Sequence, residues 1–282
     1  MALSGDYWMW SASLRYLLTL PILMAMGLFN KKMPPLFKAM KNDPKPWIIW
    51  GSIGFGAFYL ALTSAAKSSP AWLVAGTFQL TIIAGLLMGP FIYDDHRAKI
   101  PKKALLVSLF IFAGVLFSLA EQMTVENPWH VFFGFIMVTI SAILFPLGNR
   151  MMMIKLEKEK QDLDAFQRVL GMTIGSIPLW ILVSIVAYDQ SGWPSTGQII
   201  QSGGVALSSS VIATILFFKA TAMVKNDATA LGAVEATQST EIIITLVAEL
   251  LILHTSLPSW GSMLGILIIS GGMFLYAKVS VN

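Results

Sequence analysis

Nine long apolar runs separated by short, lysine-bearing loops restrict this chain to a helical bundle in a membrane. The runs lie at roughly 8–29, 47–66, 70–92, 104–120, 129–149, 166–187, 199–221, 228–252 and 260–277. A bilayer's hydrocarbon core is about 30 Å thick and needs about 20 helical residues to cross, a length each run can supply. Inside lipid every backbone N–H and C=O must be paired within the segment, so uninterrupted runs of this length are helices. Composition agrees, with 56% hydrophobic and 12% charged residues among 282. The charged share is about half that of a water-soluble domain. No separate soluble domain is expected.

The net charge is +4, but its placement argues against nucleic acid as a partner. With the first run crossing from outside to inside, the loops at 30–46, 91–103 and 150–165 hold thirteen Lys and Arg, from Lys31 and Lys32 to Lys160, and the opposite loops hold only Lys67. That bias is the positive-inside pattern, and it makes the chain a multi-pass protein of the cell (inner) membrane with a cytoplasmic C-terminus. Trp8, Trp10, Trp47, Trp50, Trp72, Trp129, Trp193 and Trp260 fall near run ends, where an indole belt at the headgroup level is expected. The chain has no cysteine, and His96, His130 and His254 lack ligand spacing, so no metal site is expected. "GSIGFG" (51–56) has its glycines in the wrong order for a dinucleotide loop and lies inside a run, where close helix packing accounts for it. No cofactor is expected. The N-terminus "MALSGDYWMW" lacks the basic region of a cleavable signal, so the first run is expected to be retained.

The chain also matches itself. A shift of 159 residues sets Gln79 on Gln238, Thr81 on Thr240, and Phe58, Tyr59 and Ala61 on Phe217, Phe218 and Ala220. A shift of 158 sets "AGVLF" (113–117) on "GGMFL" (271–275), and an arginine opens both "LRYLLTL" (Arg15) and "QRVLGMT" (Arg168). These matches divide the chain into a first repeat, 1–125, with four spans and a second, 126–282, with five, together one transmembrane domain. Five is odd, so the halves take opposite topology, as in many secondary transporters. The first half then lacks a partner for 129–149. A complete ancestor is expected to have ten helices, with the first absent here through truncation, a misplaced start codon or genuine loss.

Two inverted halves, "WMWSASLRYLLTLP" (8–21) on the first span and "ATALGAVEATQSTEIIITLVAELLIL" (228–253) on a later one, resemble the drug/metabolite transporter superfamily. Among its branches the chain is most similar to the multidrug resistance efflux transporters related to the EamA-type proteins. The resemblance covers nearly the whole chain. It implies an all-α polytopic membrane protein with a ten-helix fold of two inverted five-helix repeats, nine helices being present here. It also implies secondary active efflux of small amphipathic drugs or metabolites, with protons as the coupling ion. In the smaller four-helix exporters the coupling glutamate sits on the first helix. No such helix exists here, and the counterpart span 129–149 carries no carboxylate.

The acid must therefore lie elsewhere, and span 228–252 offers candidates. At about 100° per residue, with Glu235 at zero, Glu249 lies near 320°, Gln238 near 300°, Thr245 near 280° and Glu241 near 240°. Gln238 and Glu241 fall near mid-span. An ionisable group at that depth costs at least about 2.5 kcal/mol, so it normally faces the bundle interior and marks a pathway. Glu235 and Glu241 are expected to bind protons, with Gln238 and its counterpart Gln79 lining the same cavity; structural hydrogen bonding is the plainer alternative. Glu249 can reach the outer headgroups. Arg15, about seven residues into its span, either contacts an anionic substrate or snorkels outward to pair with Asp6.

Expected partners are the lipid bilayer, a small-molecule substrate and protons, and a homodimer is left open. An intramembrane enzyme would need paired catalytic groups at membrane depth, such as Ser with His or two aspartates, and the sequence supplies none. Uptake of a polar metabolite, or a non-transporting subunit or remnant, are the other functions the sequence admits.

Overall fold

The computed structural model describes residues 7–281 apart from 68, 238, 239, 253, 255 and 256; the side chains of some helical residues, Glu235 among them, also lie outside the description. Among the described residues there is no strand, and seven helices are long and apolar enough to cross a membrane. The chain is an all-α, multi-pass membrane protein. Helix α1 is Trp8–Phe29, a short α2 is Met33–Asn42, and α3 (Pro44–Gly51) continues through a π-helical segment, Ser52–Ala57, into α4 (Phe58–Ala66). Next come α5 (Ala71–Phe78), α6 (Leu80–Ile92), α7 (Lys102–Val125), α8 (Pro128–Lys158) and α9 (Ala165–Ser191). Helix α10 (Thr196–Val205) runs through a second π-helical segment, Ala206–Ala213, into α11 (Thr214–Met223). Helices α12 (Ala228–Ala236), α13 (Thr240–Ile252) and α14 (Trp260–Val281) complete the chain. Over their described residues all nine expected runs are helical, apart from turns such as that at Gln79.

Local chemistry sets several boundaries. At the start of α9 the Asp164 carboxylate accepts from the Gln167 N–H and the Gln167 amide oxygen accepts from the Asp164 N–H, both at 2.9 Å. This reciprocal box satisfies two orphan donors of the first turn. Helix α9 stops at Gly192, whose φ of 71° suits a residue without a Cβ. Ser195 caps α10 by accepting from the Gln198 N–H at 3.0 Å.

The helices form two compact units, each drawing on both halves of the chain. Unit 1 comprises 1–63 and 144–223, and unit 2 comprises 64–143 and 224–282. In unit 1, α1 packs along α9, α10 and the second π-helical segment, while α3 and the first π-helical segment pack on α9. Glycines set the closeness of these crossings. A Cβ on Gly175 would overlap the Trp47 carbonyl, one on Gly171 the Trp47 ring, and one on Gly148 the backbone of Gly54. In unit 2 the longest shared surface joins α7 to α14, where Gly114 and Gly272 admit Ile268 and Ile111. Helix α5 packs on α13 and α6 on α12, so the spans 71–92 and 228–252 run antiparallel.

The contacts at the helix ends fall into two sets. In unit 1, Lys32 pairs with Asp164, Lys155 pairs with Asp43 at 2.5 Å, and the Gln167 amide donates to the Lys32 carbonyl. At the other end Trp10 Nε1 donates to the Gly192 carbonyl at 2.8 Å and Gln198 Nε2 donates to the Tyr7 carbonyl and Ser11 Oγ, each at 2.9 Å. In unit 2, His96 Nε2 donates to the Asn226 carbonyl at 2.7 Å, and at the opposite end Ser259 Oγ donates to the Glu121 carboxylate at 3.3 Å. Each contact joins segments that the charge pattern assigns to one side.

The indole belt is only partial. Trp129, Trp193 and Trp260 are exposed, whereas Trp10, Trp47 and Trp72 are buried in protein. Trp47 fills the notch left by Gly171, and Trp10 stacks on Trp193 with ring centroids 6.4 Å apart. Helix packing outcompeted the headgroup boundary for these rings.

Candidate functional site

One membrane span of unit 2 is interrupted at a glutamine. Between α5 and α6, Gln79 has φ −63° and ψ −12°. Its N–H donates to the Gly76 carbonyl at 3.2 Å and its carbonyl accepts from the Ile82 N–H at 3.1 Å, so the ladder tightens to three-residue steps. The Gln79 side chain is buried at 1% exposure, and its Nε2 donates to the Ala75 carbonyl at 3.0 Å. In the partner span α12 is described to Ala236 and α13 from Thr240, with 238 and 239 outside the described residues. Thr237 and Thr240 hydroxyls donate to the carbonyls of Val234 and Thr237, at 2.7 and 3.0 Å. Gln238, the counterpart of Gln79 by the 159-residue shift, lies outside the described residues, as does the Glu235 side chain. Because α5 packs on α13 and α6 on α12, the turn at Gln79 falls where the two spans cross.

Of the carboxylates of 228–252 the described side chains, Glu241 and Glu249, stand in different surroundings. Glu241 stands in the first turn of α13 and is exposed on unit 2. Glu249, two turns on, is buried at 9% exposure and does not reach for headgroups. Its two oxygens accept from the backbone N–H groups of Ala71 at 2.8 Å and Trp72 at 3.2 Å. Helix α5 begins after Pro70 with no side-chain cap from its own segment, and Glu249 supplies that cap from across the helix pair.

Arg15 belongs to unit 1. Its Nε donates to Ser210 Oγ at 2.6 Å and its Nη2 to Ser209 Oγ at 2.8 Å, and the guanidinium lies 4.2 Å from the Tyr59 ring centroid. Both serines belong to the second π-helical segment, and the Asp6 suggested as a partner lies outside the described residues. Beneath the guanidinium, Tyr16 stacks on the buried Trp180 with centroids 4.9 Å apart. Arg168, its repeat counterpart, is buried, donates from Nη2 to the Phe218 carbonyl at 2.7 Å and lies 4.8 Å from the Phe218 ring centroid. Phe218 is the residue that the shift sets on Tyr59, so each arginine faces the corresponding ring.

Sequence reasoning did not anticipate Glu249 as a cap, the π-helical segments, or Arg168 as the match of Arg15 in surroundings as well as position. The cluster "GSIGFG" and the small run "ALSSS" mark the two π-helical segments and were the signal present.

An all-helical frame with several helices long and apolar enough to cross a bilayer defines a polytopic membrane protein. The chain belongs to the EmrE family, described as "Putative multidrug resistance efflux transporter", whose model matches residues 1–282. It is similar to "Uncharacterized protein YjlA" of Bacillus subtilis (strain 168), at 40% identity over 99% of this chain and 88% of that protein. It is also similar to an "Uncharacterized 42.1 kDa protein in intracellular alkaline protease 3'region" of Shouchella clausii, at 40% identity over 78% of this chain and 59% of that protein. A solved structure described as "Crystal structure of protein" shares the fold, with a TM-score of 0.66 at 13% identity over 97% of this chain and 88% of the other.

Proposed function

We propose that this chain is a secondary active exporter, located in the cell membrane with its C-terminus cytoplasmic, that moves small amphipathic drugs or metabolites outward against proton entry. Glu241 and Glu235 are the proton-responsive carboxylates, and Gln238, Gln79 and Arg15 contact substrate. The carrying observation is the turn at the buried Gln79, which interrupts span 71–92 where that span packs antiparallel on 228–252. A buried polar side chain at a break in a membrane helix is the kind of position where secondary transporters bind substrate and ion. Two inverted repeats, 1–125 and 126–282, account for the antiparallel pairing and for the Arg15–Tyr59 and Arg168–Phe218 correspondence.

The test is flux of an amphipathic cationic dye in proteoliposomes carrying an imposed pH gradient. Glu241→Gln is expected to insert and stay monodisperse yet lose gradient-driven flux by at least about tenfold, the usual contribution of one proton-transfer group being 10²–10⁴-fold. Glu235→Gln is expected to be impaired less. Normal flux in Glu241→Gln would overturn the assignment of the coupling acid.

A further inference from the structure

The short helix α2, which is too short to cross a membrane, combines an apolar face turned into the protein with a basic aromatic face turned out. Met33, Leu36 and Ala39 are buried; Met33 sits against Gly27 and Leu36 against Gly171. At about 100° per residue from Met33, these three and Met40 occupy the arc from 240° to 360°, while Phe37, Lys41, Pro34 and Lys38 occupy 40° to 140°. The inner face is already covered by unit 1. On the outer side Phe37 and the lysines at 31, 38, 41 and 45 are exposed. Leu28 and Phe29, which end the preceding membrane helix, are 66% and 87% exposed.

The nearby acids are already engaged. Asp43, the one acid within 30–46, accepts from Lys155, and Asp164 accepts from Lys32. Segment 30–46 carries five lysines against one aspartate, whereas 150–165 carries four cations against four acids. The positive excess of unit 1 on this side is therefore concentrated on α2 and its flanks, beside aromatic and aliphatic side chains at the end of a membrane helix. A cationic face with an inserted aromatic is what an anionic lipid surface takes up, the ring entering the headgroup boundary and the ammonium groups meeting phosphate.

We infer that the outer face of α2, formed by Phe37, Lys38 and Lys41 with Lys31 and Lys45 at its flanks, binds the anionic phospholipid headgroups of the adjoining leaflet. Full-length protein in detergent is titrated with phosphatidylglycerol or phosphatidylcholine, and bound lipid is counted by native mass spectrometry. Phosphatidylglycerol is expected to be retained in preference. Each exposed lysine contributes about fivefold, so replacing all four by Gln lowers the preference by at least about tenfold even with strong non-additivity. Phe37→Ser weakens retention while leaving the charge preference in place. The four lysine side chains make no described contact in the fold, and a matched set elsewhere, Lys99, Lys102, Lys103 and Lys225→Gln, reports on net charge alone. Equal loss in that control would overturn the assignment, as would displacement of the lipid by millimolar glycerol phosphate. Equal retention of both lipids would overturn it too and pass the face to an acidic protein partner.

Discussion

Glu249 provides at the start of α5 the cap that Pro70 does not. Two backbone N–H groups in a membrane segment have no water to turn to, so the carboxylate is held by their need for an acceptor as much as by its own. Glu249→Ala is expected to destabilise the folded protein by about 1–3 kcal/mol. Glu249→Gln should cost less, since the amide oxygen still satisfies one donor, and thermal unfolding in detergent reads the difference. On the loop side, Asp95 is held down to about 2, first by hydrogen bonds from the Arg97 side chain, then by the Arg97 backbone N–H. A lowered carboxyl pKa stabilises the fold above its ordinary value of about 3.9 and is lost as pH falls toward 2. Accordingly, proteolysis at 93–99 should be flat from pH 8 to 5 and rise only in strong acid, while Asp95→Asn raises it at neutral pH. Helical angles showed that the polar residues of 228–252 share an arc, but Glu249 was misplaced. Its partners are 178 and 177 residues away, and periodicity carries no information about what lies across the crossing.

At the scale of the element, the nine apolar runs were legible because lipid leaves helices as the only outcome. The finer breaks were not. "AGTFQLT" contains no proline and is permissive for helix, so the interruption at Gln79 comes from tertiary context. The glycines separate two cases. At Gly175 a Cβ would overlap backbone of α3, which cannot yield as a flexible side chain would, so Gly175→Ala should destabilise by about 1–3 kcal/mol despite its better helix propensity. At Gly271, where a Cβ meets nothing within 4 Å, the same change should stabilise by up to about 1 kcal/mol. Unfolding midpoints of the two variants should move in opposite directions.

For the molecule as a whole, the charge bias and the contacts at the helix ends group the loops in the same way. Single cysteines in this cysteine-free chain test the orientation: Lys41→Cys, Lys102→Cys and Lys160→Cys should resist an impermeant reagent in intact cells, while Lys67→Cys and Glu126→Cys should react. The drawing of each unit from both halves of the chain was not foreseen, because a self-match identifies counterparts without saying that they pack together.

That interleaving has a consequence for how the protein is made. Helix α1 and its principal partner α9 are separated by more than a hundred residues of chain. At about 5–20 residues per second of synthesis, the first helices wait in the bilayer on the order of ten seconds before their partners arrive. During that interval the faces around Gly51 and Gly54, shaped to admit another backbone, meet only lipid. A ribosome that stalls after residue 125 therefore releases a fragment that cannot complete either unit and is open to membrane quality control. Co-expression of the missing half, 126–282, is what should rescue it.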